Sequence, residues 1–212
     1  MVLNKYRGKT DSFLTPIAKP FSGISPNALS AISLLCAVLV FVVLVFWREP
    51  FGLVVALILA LLNGFFDAID GAVARITGKG SPKGDLVDHV IDRYADFLII
   101  AGIGMSAFAH AELGLLALGS VMIASYMGTQ SQALGLKRDY GGMLGRAERM
   151  ILLIIFLLVQ YVSVMYYLSN PHIMMISGFG VSILDVLLVV LIVASNITAL
   201  QRLVRMWRAL GT

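Results

Sequence analysis

Charge is scarce in this chain. Asp, Glu, Lys and Arg together make 13% of its 212 residues, against 59% hydrophobic residues and a mean hydropathy of +0.91. That balance excludes an ordinary soluble domain, and no basic, aromatic-studded module of the kind that binds nucleic acid is present. Cysteine is nearly absent: with Cys36 alone no intrachain disulfide can form, and nothing points to an oxidising compartment. Histidine is sparse as well, and His89, His110 and His172 are scattered enough to read as ordinary helix or loop residues rather than ligands. No internal repeat or low-complexity tract occurs.

The few acids are unevenly placed. Asp67, Asp70, Asp85, Asp88, Asp92 and Asp96 all fall within residues 63–96, flanked by apolar runs long enough to cross a membrane. Ionisable groups beside such runs are costly unless they pair, bind a cation or face a polar cavity, and a cluster of one sign cannot neutralise itself. Asp67 and Asp70 are spaced i, i+3 and Asp88 and Asp92 i, i+4, so each pair projects from one helix face. Hard carboxylate oxygens with no cysteine and little histidine nearby favour Mg2+ or Mn2+ over Zn2+. The polar turn GKGSPKG between the pairs links two helices at the membrane surface.

Hydropathy and length accommodate six spans of roughly 20 residues, at about 27–47, 51–76, 85–109, 113–136, 147–168 and 182–207. The fold class is therefore all-α, a six-helix membrane bundle over residues 21–212. Before it, residues 1–20 form a basic segment interrupted by prolines, read as an interfacial amphipathic helix rather than a cleaved signal peptide. Ser25 and Pro26 open the first span as N-cap and first helical residue. The expected far-side turn between spans three and four is His110 to Glu112. The small polar face Ser120, Ser125, Gly128, Thr129 and Ser131 of span four suits close packing and a polar cavity. Arg93 is the expected partner of Asp85 and Asp96. Of the 16 Lys and Arg residues only Arg48 falls on the far side, so the positive-inside rule puts both termini and the acidic cluster in the cytoplasm of an integral, multi-pass cell-membrane protein. The net charge of +4 also favours anionic membrane lipid.

Written out, the acidic stretch is D67-x2-D70-G71-x2-A74-R75-x8-G84-x3-D88-x3-D92. In this pattern the chain resembles the CDP-alcohol phosphotransferase family, enzymes of phospholipid biosynthesis. The resemblance implies that Asp67, Asp70, Asp88 and Asp92 hold two divalent cations, Mg2+ or Mn2+, and that Asp92 is also the general base. It further implies that Gly71, Ala74 and Arg75 contact the CDP group, with Asn27 and Ser30 of the ISPNALS run and with Ser81 and Gly84 completing a CDP-lipid site.

Within the family, ISPNALS, SYMGTQSQALGLKRDYGGMLGRAER and QRLVRMW are similar to the phosphatidylinositol-phosphate and archaetidylinositol-phosphate synthase branch. That likeness implies an acceptor phosphate bound by Ser125, Arg146 and Arg202 with Arg149 close by. Two basic positions of the branch are Gly128 and Gln130 here. The expected reaction transfers a phosphatidyl or archaetidyl group from a CDP-lipid to a phosphorylated polyol, releasing CMP. Inositol 1-phosphate is the first acceptor, glycerol phosphate the second, and a free alcohol such as serine or inositol the third. A homodimer is admitted as an assembly. A divalent-cation transporter is the competing class, but it needs acids along its path, and the last two spans hold none past their first turns, where Glu148 and Asp185 sit. A non-catalytic scaffold relative is expected to lose one of the four aspartates, and all four are present.

Overall fold

A computed structural model describes residues 14–166, 172–176 and 179–211. Of the expected amphipathic segment, residues 1–13 lie outside the described residues. Residues 14–18 are helical (α1) and continue into a 3-10 turn, Lys19–Phe21. Ala18 is fully buried in a small cluster with Leu29, Ile69 and Val73, against which Leu14, Ile17 and Phe21 also pack. This end of the chain thus covers the region where the acidic helix begins to leave the apolar layer.

Six long helices follow: α2 (Pro26–Phe46), α3 (Pro50–Thr77), α4 (Pro82–Gly104), α5 (Ala111–Ala133), α6 (Arg146–Tyr166) and α7 (Ile183–Leu210). Their starts obey local chemistry. Ser25 Oγ accepts from the Ala28 N–H and Ser81 Oγ from the Gly84 N–H, each with proline as the next residue, while Ser182 and Asp185 form a reciprocal capping box. Gly78, at φ 65°, takes the left-handed conformation that ends α3.

Helix packing closes a ring. α2 contacts α3 and α4, α3 contacts α6, α6 contacts α7, α7 contacts α5, and α5 contacts α4. The interior is apolar, with Leu53, Ile99, Leu157, Leu184 and Leu187 fully buried, and the outer surface is apolar too, with Leu35, Leu115, Leu116 and Ile155 exposed. A helix bundle hydrophobic on both faces is one that lies in lipid. Five of the helices are long and apolar enough to cross a membrane, and this is an integral membrane protein. α4 is as long as α5 but carries Asp85, Asp88, Asp92, Arg93 and Asp96 in its first two-thirds, which lowers its hydropathy; it completes the bundle by packing on α2 and α5.

Two details depart from the sequence reading. α4 begins and ends earlier than the expected 85–109. Gly104 and Gly114 explain the end: a Cβ on Gly104 would lie 2.6 Å from Gly114 Cα, so the backbones of α4 and α5 touch there. The chain then turns at Ser106, whose Oγ donates to the Ile103 carbonyl at 2.7 Å and accepts from the Phe108 N–H at 3.2 Å, rather than at His110 to Glu112. His110 instead ties this end to α7, its N–H reaching Asp185 at 2.8 Å. The second departure is a two-stranded antiparallel ribbon, β1 (His172–Ile176) with β2 (Phe179–Ser182), in what reads from sequence as a plain connection. Both apolar runs are too short for a helix and rich enough in β-formers to pair. Residues 167–168 of the expected fifth span lie outside the described residues.

Candidate active site

The acidic pairs project from the C-terminal half of α3 and the N-terminal half of α4, and α2 is the surface on which both helices rest. Asp70 is buried at 6% exposure and Asp92 at 8%, with Asp67 and Asp88 partly buried. Carboxylate oxygens of Asp67, Asp70 and Asp88 lie within 4.8 Å of one another, and so do ligand atoms of Asp88, His89 and Asp92. Asp88 belongs to both groups. The arrangement is two overlapping triads rather than four equivalent aspartates, and His89, which reads from sequence as an ordinary helix residue, stands in the second triad. A donor set dominated by carboxylate oxygen from two helices fits hard divalent cations.

Basic residues from α6 and from α4 itself surround these acids. Arg146 Nη1 reaches Asp67 Oδ2 at 2.6 Å and Asp92 Oδ1 at 2.8 Å, bridging α3 and α4 from a third helix. Arg149 Nη2 donates to Asp96 Oδ2 at 2.6 Å, and Arg93 stands 3.7 Å from both Asp92 and Asp96. The expected Arg93–Asp96 pair is therefore present but secondary to Arg149. Asp85 pairs with His89 at 3.5 Å, not with Arg93, because i, i+4 spacing on one helix face brings the imidazole to it.

On one side of the acids opens a cavity of about 470 Å³. All seven residues implied as CDP-lipid contacts line it: Asn27, Ser30, Gly71, Ala74, Arg75, Ser81 and Gly84. Asp70 and Asp88 form part of its wall. Gly71 and Gly84 keep the wall low, since a Cβ on Gly71 would meet Arg75 Nη1 at 3.4 Å and one on Gly84 would meet Ser81 Oγ at 3.4 Å. Ser30 does more than line the space: its hydroxyl donates to Asp70 Oδ2 at 2.5 Å. Deeper in the bundle, Asn63 Nδ2 donates to the Ser33 carbonyl at 2.8 Å, so α2 and α3 are fastened on the same faces that carry Ser30 and Asp70.

On the other side lies a smaller cavity of about 110 Å³, walled by Asp92 and by the four expected acceptor residues Ser125, Arg146, Arg149 and Arg202. Asp88 and Asp92 are one helical turn apart, so the two cavities adjoin across a single turn of α4. Among the described residues the Nε–H groups of Arg93, Arg146 and Arg149 are buried without a hydrogen-bond partner, which leaves donors for an anion. Arg202, by contrast, is held: its Nε donates to the Gly141 carbonyl at 2.8 Å and its Nη1 to the Ala124 carbonyl. Gly128 makes room for that arrangement, because a Cβ there would fall 2.9 Å from Arg202 Nη1 and 3.0 Å from the Asp139 carbonyl oxygen. Sequence reasoning left out Arg138, Asp139 and Tyr140, which also line this cavity; the only signal for them was their place in a basic loop on the motif side.

The comparisons agree with this geometry. The CDP-alcohol phosphatidyltransferase family model matches residues 23–190. The archaetidylinositol phosphate synthase of Methanothermobacter thermautotrophicus is 31% identical over 159 residues, covering 75% of this chain and 73% of that protein. The enzyme of the same name from Pyrococcus horikoshii is 31% identical over 169 residues, 79% of this chain and 88% of its own. Among solved structures, phosphatidylinositol phosphate synthase of Mycobacterium tuberculosis with CDP-DAG bound superposes with a TM-score of 0.70 at 27% identity, covering 92% of this chain and 93% of that one. The same mycobacterial enzyme in complex with manganese and citrate gives 0.71, with 92% and 88% covered. With the motif complete, the acids gathered and the fold shared, the chain belongs to the CDP-alcohol phosphatidyltransferase family.

Proposed function

We propose that this membrane transferase moves a phosphatidyl or archaetidyl group from a CDP-lipid to a phosphorylated polyol, with inositol 1-phosphate the preferred acceptor and CMP the second product. The observation that carries the reading is the pair of cavities meeting at Asp88 and Asp92, one walled by the seven donor-side residues and the other by arginines with buried unpaired N–H donors. Archaetidylinositol and phosphatidylinositol phosphate synthases among the relatives support the same acceptor.

In this reading Asp67, Asp70, Asp88 and Asp92 hold two Mg2+ or Mn2+ ions, which supply charge neutralisation for the diphosphate when bound. Asn27, Ser30, Ser81 and the low surface at Gly71, Ala74 and Gly84 seat the CDP end of the lipid. Arg75 offers a bidentate phosphate contact. Asp92, on the acceptor side, takes the proton from the attacking hydroxyl. The hydroxyl oxygen bonds to the lipid-bearing phosphorus, the phosphoanhydride bond breaks, and CMP leaves on the donor side. Ser125, Arg146 and Arg149 face the acceptor phosphate, and Arg202 shapes its cavity. Arg146, ion-paired with both Asp67 and Asp92, orients the base while it does so.

Residues 21–212 act as the catalytic unit and residues 1–20 as its surface segment. The Lys and Arg distribution supports an orientation with the site and both termini in the cytoplasm. The test is to supply purified protein with CDP-lipid, Mn2+ and a panel of acceptors and to measure CMP. Release dependent on inositol phosphate is expected. Release with serine or inositol and none with any phosphorylated polyol would overturn the acceptor assignment.

A further inference from the structure

The charges around the acceptor cavity do not all remain available. Arg93, Arg146 and Arg149 stand against Asp67, Asp92 and Asp96 in close ion pairs, three cations against three anions. Arg205 is paired with Asp139 at 2.7 Å. Among the described residues Arg202 pairs with no acid, but it is held by two backbone carbonyls and buried at 8% exposure. Position 128 cannot supply a cation either, because any side chain there must first displace Arg202 or the Asp139 backbone.

Arg138 is the exception. It lies partly buried in the loop between α5 and α6, and among the described residues it makes no ion pair; its guanidinium carbon sits 5.1 Å from the centroid of the Tyr140 ring. It lines the 110 Å³ cavity and also a neighbouring cavity of about 240 Å³, which shares His89, Arg93 and Ser125 with the first. A ligand too large for the inner space extends into the outer one, and Arg138 is on the wall of both. Cation–π contact holds the guanidinium near the ring without satisfying its N–H donors. An anionic group entering from the outer cavity therefore meets, in Arg138, a cation that neither an acid nor a backbone carbonyl holds among the described residues.

Resting on the acceptor reading above, we infer that Arg138, backed by Tyr140, is the residue that selects a phosphorylated acceptor over a free alcohol. It supplies the positive charge that Gly128 cannot carry.

The test compares wild type with Arg138→Gln and Arg138→Lys, assayed by CMP release with CDP-lipid, Mn2+ and inositol 1-phosphate. Arg138→Gln should raise the acceptor KM about tenfold or more, the loss of one charge-assisted contact, while the CDP-lipid KM stays within about twofold. Arg138→Lys should recover part of the loss. Inorganic phosphate should compete with the acceptor in wild type and compete more weakly in Arg138→Gln. Bound CDP-lipid serves as the folding control for each variant. An unchanged acceptor KM in Arg138→Gln, with wild type active on inositol phosphate, overturns the role of Arg138 and leaves the acceptor reading standing. A wild type that turns over only unphosphorylated alcohols overturns both.

Discussion

Arg146 and Asp67 stand 79 residues apart in the chain and 2.6 Å apart in the fold. The same guanidinium reaches Asp92 at 2.8 Å, so one side chain from α6 joins the acids of α3 and α4. Removing it leaves partly buried carboxylates of like charge without their nearest cation. Breaking such a pair costs about 3–5 kcal/mol when it is well buried and less at this partial exposure. Arg146→Ala should lower the melting temperature in EDTA, and added Mn2+ should restore more of it than in wild type. Equal melting temperatures in EDTA would remove Arg146 from the stability of the acidic site.

Chelation is the next prediction. EDTA should abolish CMP release, Mg2+ or Mn2+ should restore it, and Zn2+ should be a poor substitute, because the triads offer mainly carboxylate oxygen. Full activity in metal-free buffer contradicts the two-cation reading.

Ser30 gives a subtler effect. Its 2.5 Å bond to Asp70 fixes the orientation of a carboxylate proposed to hold a cation, and losing an outer partner of such a ligand typically weakens metal affinity about 10- to 100-fold. Ser30→Ala should therefore raise the Mn2+ concentration needed for half-maximal activity, with little change in acceptor KM. An unaltered Mn2+ requirement would leave Ser30 as a donor-cavity contact only.

Asp92 and Arg75 should separate cleanly. Asp92 lines the smaller cavity, proposed for the acceptor, and Arg75 the larger, proposed for the CDP-lipid. Asp92→Asn should abolish turnover while keeping CDP-lipid binding, and Arg75→Ala should weaken that binding. Equal CDP-lipid affinity in wild type and Arg75→Ala would take Arg75 out of the nucleotide site.

Packing makes its own prediction at the opposite end. Gly104→Ala places a methyl 2.6 Å from the Gly114 backbone. Overpacking of this sort costs about 1–3 kcal/mol, so the variant should melt earlier without a change in acceptor KM. A melting temperature equal to wild type would show that α4 and α5 separate at little cost.

Local signals made much of this readable from sequence. The helix start at Ser25 and the aspartate spacing depend on residues within a turn or two, and the seven expected residues lining the larger cavity come from α2, α3 and the start of α4 around one motif. What sequence missed depends on contacts between distant segments. His89 is a different case: it joins Asp88 and Asp92 within α4 itself, and sparse histidine makes it read as an ordinary helix residue. The meeting of Arg146 with Asp67 needs α6 to pack on α3. That Arg202 fills the space beside Gly128 is invisible in a sequence where both look like separate departures or anchors. The end of α4 differs from the sequence reading because hydrophobicity continues past Gly104, while the Gly104–Gly114 approach and the Ser106 turn end the helix there.

The most direct measurement follows the acceptor phosphate. With inositol 1-phosphate carrying a radiolabelled phosphate, purified protein, unlabelled CDP-lipid and Mn2+, the lipid product should carry the label in equal amount to the CMP released. Labelled phosphate left entirely in the aqueous phase, with CMP formed only when a free alcohol is supplied, would contradict the account.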